Sequence, residues 1–248
     1  MAGHSKWANI KHRKARQDAV KGKVWSKCSK AIIVAAKQGG PDPDANLALR
    51  YAIDEAKSAN VPKDNIERAI KKGAGATDGE DYEAIRYEGY GAGGVAVIVD
   101  ALTDNRARTA PEVRLAFGKY GGNMGATGCV AFMFEQRGVI TIEESAATEE
   151  RLMEIAVEAG ADDIEKDDGY WTIMTDPAEY LDVKAAIDAA GIETSSAEIT
   201  MVATNSAEVS AEDAGKVMRL IEALEDLDDV QKVYTNAEFT DEQLAAMG

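Results

Sequence analysis

Along the first third of the chain, apolar residues recur at three- and four-residue steps. Val20, Val24, Cys28, Ala31, Ile32, Ala35 and Ala36 fall on one stripe of a helix that opens at about Asp18, and Gly39-Gly40-Pro41 stops it. Lys21, Lys23, Lys27 and Lys30 occupy the remaining positions. A second helix, capped by Asp44, buries Leu47, Leu49, Tyr51, Ile53 and Ala56 and ends before Pro62. Pro62 and Asp64 open a third, with Ile66, Ala69 and Ile70 inside and Lys71, Lys72 and Gly73 at its C-terminus, where cations and glycine are both favoured. Three such helices make a small bundle over residues 18–75. Ahead of it, residues 1–17 are polar and basic, with no apolar period, and read as an arm.

After the linker Gly73–Glu80 the period changes to alternation. Tyr82–Tyr90 and Val95–Leu102 read as a hairpin, followed by a helix from about Thr109 to Tyr120 and a strand through Val130–Glu135. The next stretch reads strand Val139–Ile142, helix Thr148–Ala159, strand Asp163–Glu165, strand Tyr170–Met174, helix Pro177–Ala190 and strand Ile192–Val202. That βαββαβ order is ferredoxin-like. A last helix, Ala211–Leu224, and a strand, Val230–Tyr234, complete the unit begun at Tyr82. The expected fold is multidomain α and α+β. An N-terminal three-helix bundle precedes an α+β domain built from 80–137 plus 204–248, and a ferredoxin-like α+β domain, 138–203, is inserted in it.

Charge changes the picture. The chain carries a formal net charge of −16, yet ten of its 28 Lys+Arg lie in the first 37 positions against one acid, Asp18. Met1–Gly75 sums to +9 and the remainder to −25. A basic end on an acidic body is the footprint of a nucleic-acid-facing protein, and it disfavours the enzyme classes. Lys6, Trp7, Lys11, Arg13, Lys14, Arg16, Lys21, Lys23, Lys27 and Lys30 are the candidate nucleic-acid-binding residues: the cations neutralise phosphates and Trp7 offers a face for a base. The alternative is a solvated helix face with a loose tail. Trp25, at the edge of the apolar stripe, reads as packing.

Asn105, Arg106, Arg108 and Arg114 form a basic island in the acidic body. They suit either a second anion site or helix-start hydrogen bonding with internal ion pairs. Gly89-Tyr90-Gly91-Ala92-Gly93-Gly94 satisfies GxGxxG formally, but an alternating apolar run follows it where the phosphate cradle requires a helix, so the glycines read as turn residues. Asp162-Asp163 and Asp167-Asp168 read as solvated hairpin ends. His4 and His12 lack ligands at metal spacing, and no nucleophile–base pair assembles. No metal, cofactor or catalytic residue is therefore expected. Cys28 and Cys129 suggest no disulfide framework, and a reducing cytoplasm fits; no apolar run is long enough to span a membrane.

Gly3-His4-Ser5-Lys6-Trp7-Ala8-Asn9-Ile10-Lys11-His12-Arg13-Lys14, Gly39-Gly40-Pro41-Asp42-Pro43, Pro62–Ile70, Tyr87-Glu88-Gly89-Tyr90-Gly91, Thr103-Asp104-Asn105-Arg106 and Val130–Phe134 closely resemble the YebC/PmpR family. The resemblance covers essentially the whole chain and departs at Ala92 and Ala126. It implies three domains, one α+β unit inserted in the other, and control of gene expression without catalysis. Bacterial relatives are commonly named DNA-binding transcriptional regulators. Mitochondrial relatives are translational activators of cytochrome c oxidase, and bacterial ones are also linked to ribosomes elongating proline runs.

The second bundle helix offers mainly Asn46, Arg50, Asp54, Glu55 and Lys57, a weak set for reading bases. The favoured expectation is RNA or ribosome binding (rRNA or tRNA) through arm and bundle, assisting elongation. Promoter DNA binding is the alternative. An enzyme acting on an anionic small molecule, clamped by Arg106, Arg108 and Arg114, is a remote third.

Overall fold

The computed structural model describes residues 21–75, 81–240 and 242–243. The arm and the expected helix start at Asp18–Val20 lie outside them. Helix α1 runs Lys21–Gly39, α2 Leu47–Ser58 and α3 Lys63–Gly73. Their shared core is Cys28, Ile32, Ile33, Leu49, Ala56 and Ile66 with its neighbours, and Trp25 packs against it while donating from Nε1 to Ala59 O at 3.2 Å. Small residues let α1 and α3 come close: a Cβ on Gly73 would sit 2.5 Å from Ile33 O.

Two details depart from the sequence expectation. Asn46, not Asp44, caps α2: its Oδ1 accepts from Leu49 N at 3.1 Å, and its Nδ2 donates to Ala35 O and Gly40 O at 2.8 Å each. One amide thus closes the start of α2 and ties it to the end of α1; the Asp44 carboxylate lies two residues ahead of the cap position and has no N–H to donate to those carbonyls. Leu47, expected inside, is 44% exposed because it sits at the first helical position on the outer side.

Strands β1 (Glu83–Tyr90) and β2 (Ala96–Thr103) pair antiparallel with Tyr87 opposite Val99. Between them Gly93 and Gly94 take φ of 73° and 77°, the turn role expected of that glycine loop. Helix α4 spans Arg106–Lys119, three residues earlier than the apolar period suggested, because Asn105 Oδ1 caps it by accepting from Arg108 N at 3.1 Å. Strand β3 is Asn123–Met124. The expected strand Val130–Glu135 is not formed as such: Ala131–Met133 is a 3-10 turn, and strand β4 is Phe134–Glu143. The amides of Val130 and Ala131 are bound by the Glu88 carboxylate and are unavailable to a sheet ladder.

Helix α5, Glu149–Leu152, opens from the Thr148 cap but gives way to a π-helical turn, Met153–Val157, so the expected continuous helix is broken by one wide turn. Strands β5 (Ala161–Asp167) and β6 (Tyr170–Thr175), helix α6 (Tyr180–Ala189) and strand β7 (Ser196–Ala203) follow. The sheet order is β5-β6-β4-β7, with β4 and β5 both antiparallel to β6. At the β5–β6 turn, Asp168 and Gly169 both have positive φ. Ile140, Ile142, Trp171, Ile173, Val183 and Ile187 are buried here. Among the described residues, Phe134–Val202 form one compact unit.

The chain ends with β8 (Ala207–Glu208), α7 (Ala211–Glu225), β9 (Val230–Thr235) and β10 (Ala237–Glu238). β9 joins the first sheet, whose order is β3-β1-β2-β9, and β8 pairs parallel with β10. Helix α7 buries Val217, Leu220, Ile221 and Leu224, and α4 buries Val113 and Phe117. The second compact unit unites the bundle helices with the sheet carrying β1, β2 and β9.

Candidate nucleic-acid interface

Helix α1 sets its lysines on one side because positions i, i+4 and i+7 share a face. The side chain of Lys21 and the arm residues Lys6, Trp7, Lys11, Arg13, Lys14 and Arg16 lie outside what the structure describes. Lys23, Lys27 and Lys30 all reach the turn that ends α7. Lys23 Nζ donates to Asp226 O at 2.6 Å and Asp226 Oδ1 at 3.3 Å. Lys27 Nζ donates to Glu225 O at 3.0 Å, and Lys30 Nζ to Asp228 O at 3.1 Å and Asp229 Oδ1 at 3.2 Å. The last turn of α7 has no basic residue of its own, so cations from α1 meet its unsatisfied carbonyls and the negative end of its dipole.

Asp229 is the hub beneath this contact and is 4% exposed. Its Oδ2 accepts from Arg108 Nη2 at 2.6 Å, Thr109 Oγ1 at 2.8 Å and Thr103 Oγ1 at 3.0 Å. Burial pushes its pKa up, but the hydrogen bonds from Arg108, Thr109, Lys30 and Thr103 outweigh that and hold it down at about 2. A cavity of about 510 Å³ opens beside it, lined by Lys30, Tyr82, Arg108 and the acidic turn. Lys30 Nζ lies 5.4 Å from the centre of the Tyr82 ring.

The basic island is dispersed by the same network. Asn105 caps α4, Arg108 bridges Asp104 and Asp229, and Arg106 lies 3.8 Å from Glu83. Arg114 is exposed on α4. Three of the four residues thus have helix-start or ion-pair partners, and the structure does not gather them into one anion cradle.

Beyond the α1 row the bundle carries a second set of cations that the sequence did not mark as candidate binding residues. Arg50 and Lys57 on α2, and Lys63, Arg68 and Lys71 on α3, are exposed. Lys63 faces Glu67 at 3.8 Å, and Arg68 Nε donates to Asp64 O at 3.2 Å. Their signal was present: in Lys63–Gly73 the buried positions, Ile66 and Ala69, are apolar and the exposed ones are charged, Lys63, Arg68 and Lys71 beside Asp64 and Glu67.

Glu88 is a second buried carboxylate the sequence did not single out, 2% exposed. It accepts from Gly128 N at 2.7 Å, Val130 N at 2.9 Å and Ala131 N at 2.8 Å. Burial raises its pKa, yet these three amides prevail and lower it. The result is a fixed glycine-rich loop. It carries Phe132, 72% exposed. Burial, then the Glu55 charge, pushes the Cys28 thiol up to about 11, so it is a core residue with little thiolate at neutral pH. Among the described residues no cluster of three or more His, Cys, Asp or Glu suits a metal, and no helix is long and apolar enough to cross a membrane.

Residues 5–76 match the family model described as the TACO1/YebC protein N-terminal domain, and residues 82–237 match that of the TACO1/YebC second and third domain. A probable transcriptional regulatory protein of Rhodopirellula baltica is 54% identical over 246 residues, 99% of this chain and 100% of the relative. Another, from Laribacter hongkongensis, is 55% identical over 238 residues, 96% of this chain and 98% of its own. The crystal structure of a conserved hypothetical protein from Aquifex aeolicus is similar with a TM-score of 0.80 and 48% identity, over 90% of this chain and 93% of that one.

Proposed function

The chain belongs to the TACO1/YebC family, and from that premise we propose that it is a non-enzymatic nucleic-acid-binding regulator of gene expression that grips RNA at the ribosome to assist translation. The grip runs through the arm (1–17) and the helical bundle (18–75). The domain 80–137 plus 204–248, and the domain 138–203 inserted in it, carry most of the acidic charge.

The observation that carries the choice of RNA is the state of α2. A DNA-reading helix presents Arg, Asn or Gln to base edges in the major groove. Here Asn46 is buried in the cap, Arg50 donates to Pro43 O and Asp44 O at 3.2 and 3.3 Å, and Glu55 pairs with Lys232 at 3.0 Å. What remains exposed is a mixed charged surface, Lys57 on α2 with Lys63, Arg68 and Lys71 beside Asp64 and Glu67 on α3, and not a row of base-reading side chains. That supports recognition of phosphate and shape, the mode suited to structured RNA. The names of the relatives favour the second reading, a transcriptional regulator on promoter DNA.

Co-sedimentation with ribosomes across a salt series, with excess duplex DNA as competitor, separates the two. The RNA reading expects binding that withstands the DNA and weakens when residues 1–16 are deleted. Sequence-specific promoter binding retained at roughly 200 mM salt would replace it with the DNA reading.

A further inference from the structure

The acidic turn after α7 touches the lysine row of α1 as a ligand would. Five oxygens of Glu225, Asp226, Asp228 and Asp229 take the three ammonium groups at 2.6 to 3.3 Å, across about 200 residues of sequence. We infer that the outer part of this turn is a resident pseudo-ligand of Lys23 and Lys27, occupying the place that a phosphodiester backbone takes when nucleic acid binds there. The inference rests on the proposed nucleic-acid role of the bundle and refines it.

The clasp is graded. At its inner end, Lys30 and Asp229 have side chains 15% and 5% exposed, and Asp229 is further tied to Arg108, Thr103 and Thr109. Breaking that pair strands a buried charge, so Lys30 stays in place and belongs to the architecture. At its outer end, Lys23 and Asp226 are 33% and 85% exposed. Exposed pairs of this kind are weak, and a polyanion offering several phosphates at once competes with them effectively. Nucleic acid therefore exchanges with the turn at Lys23 and Lys27 while Lys30 holds the bundle to the sheet.

A double-mutant cycle on the full chain tests this, reading the affinity of a labelled 20-nucleotide single-stranded RNA by fluorescence anisotropy. Asp226→Asn removes the competing carboxylate, and binding is expected to tighten about threefold or more. In a Lys23→Ala background that gain is expected to vanish, whereas a long-range charge effect would persist in both. Hydrogen exchange is expected to rise at residues 225–227 when the RNA binds, as the outer part of the turn is released. Equal gains in the two backgrounds, or protection of 225–227 by RNA, overturn the inference and leave the proposed function standing. If the unmodified protein binds neither this RNA nor ribosomes, the functional reading itself fails, and the inference with it.

Discussion

Two buried carboxylates organise this molecule by contrasting chemistry. Asp229 gathers side-chain donors, Lys30, Arg108, Thr103 and Thr109, whereas Glu88 gathers three backbone amides. The folded pKa of Asp229, about 2, lies below its unfolded value, so its stabilisation is complete above that unfolded value, roughly pH 4, and is lost as pH falls toward 2. Its share is on the order of 2 kcal/mol. Asp229→Asn is expected to cost about 3 kcal/mol at pH 7, by leaving Lys30 and Arg108 facing a neutral amide, and to flatten the acid limb of a urea-midpoint-against-pH curve. An unchanged acid limb would assign that limb to other carboxylates. Glu88→Gln replaces one acceptor oxygen by an amino group that meets amide donors head-on, and a loss of about 2–3 kcal/mol is expected. The accompanying signature is faster hydrogen exchange in 125–133, measured on the full chain; exchange that speeds up elsewhere but not there would show that the loop is held by other means.

At the scale of elements, the close approach of α1 and α3 is the most exacting fit in the bundle. Gly73→Ala brings a methyl to 2.5 Å from Ile33 O and 2.7 Å from Ala36 Cβ, and backbone does not yield cheaply. A loss of about 1–3 kcal/mol is expected by chemical denaturation, with exchange accelerated in α1 and α3; a neutral result would mean that the helices separate freely there. Periodicity located most of the helices and strands because each buries a single face. It failed where another force intervened. Val130–Phe134 is a continuous apolar run with no period, and such runs do not separate strand from short turn; the deciding factor was Glu88, 42 residues away. The helix after Thr148 carries an acceptable 3.6 pattern, yet it widens at Met153–Val157, leaving Met153 and Val157 about half exposed.

At the scale of the whole molecule, charge segregation was legible from residue counts, but the disposition of the cations was not. Nothing in the first 37 residues reveals that Lys23, Lys27 and Lys30 meet a turn some 200 positions later, or that Arg108 belongs to the same hub. The cations of α2 and α3 were visible in the sequence, but which of them stand exposed followed from the buried faces. If the arm engages RNA, deleting residues 1–16 removes Lys6, Lys11, Arg13, Lys14 and Arg16. The slope of log affinity against log salt is then expected to become shallower by roughly 3–4, at about 0.7 per phosphate on a single strand. A slope unchanged by the deletion would place every phosphate contact on the folded part.

The lysine clasp also has a history within each molecule's birth. A chain is made from its N-terminus at about 5–20 residues per second, so the whole bundle emerges roughly 8–30 seconds before the turn that will cover its lysines. During that interval the row stands uncovered beside the ribosome's own RNA. On the proposed RNA role, nascent molecules present these lysines without their internal competitor, and completed ones carry their own restraint.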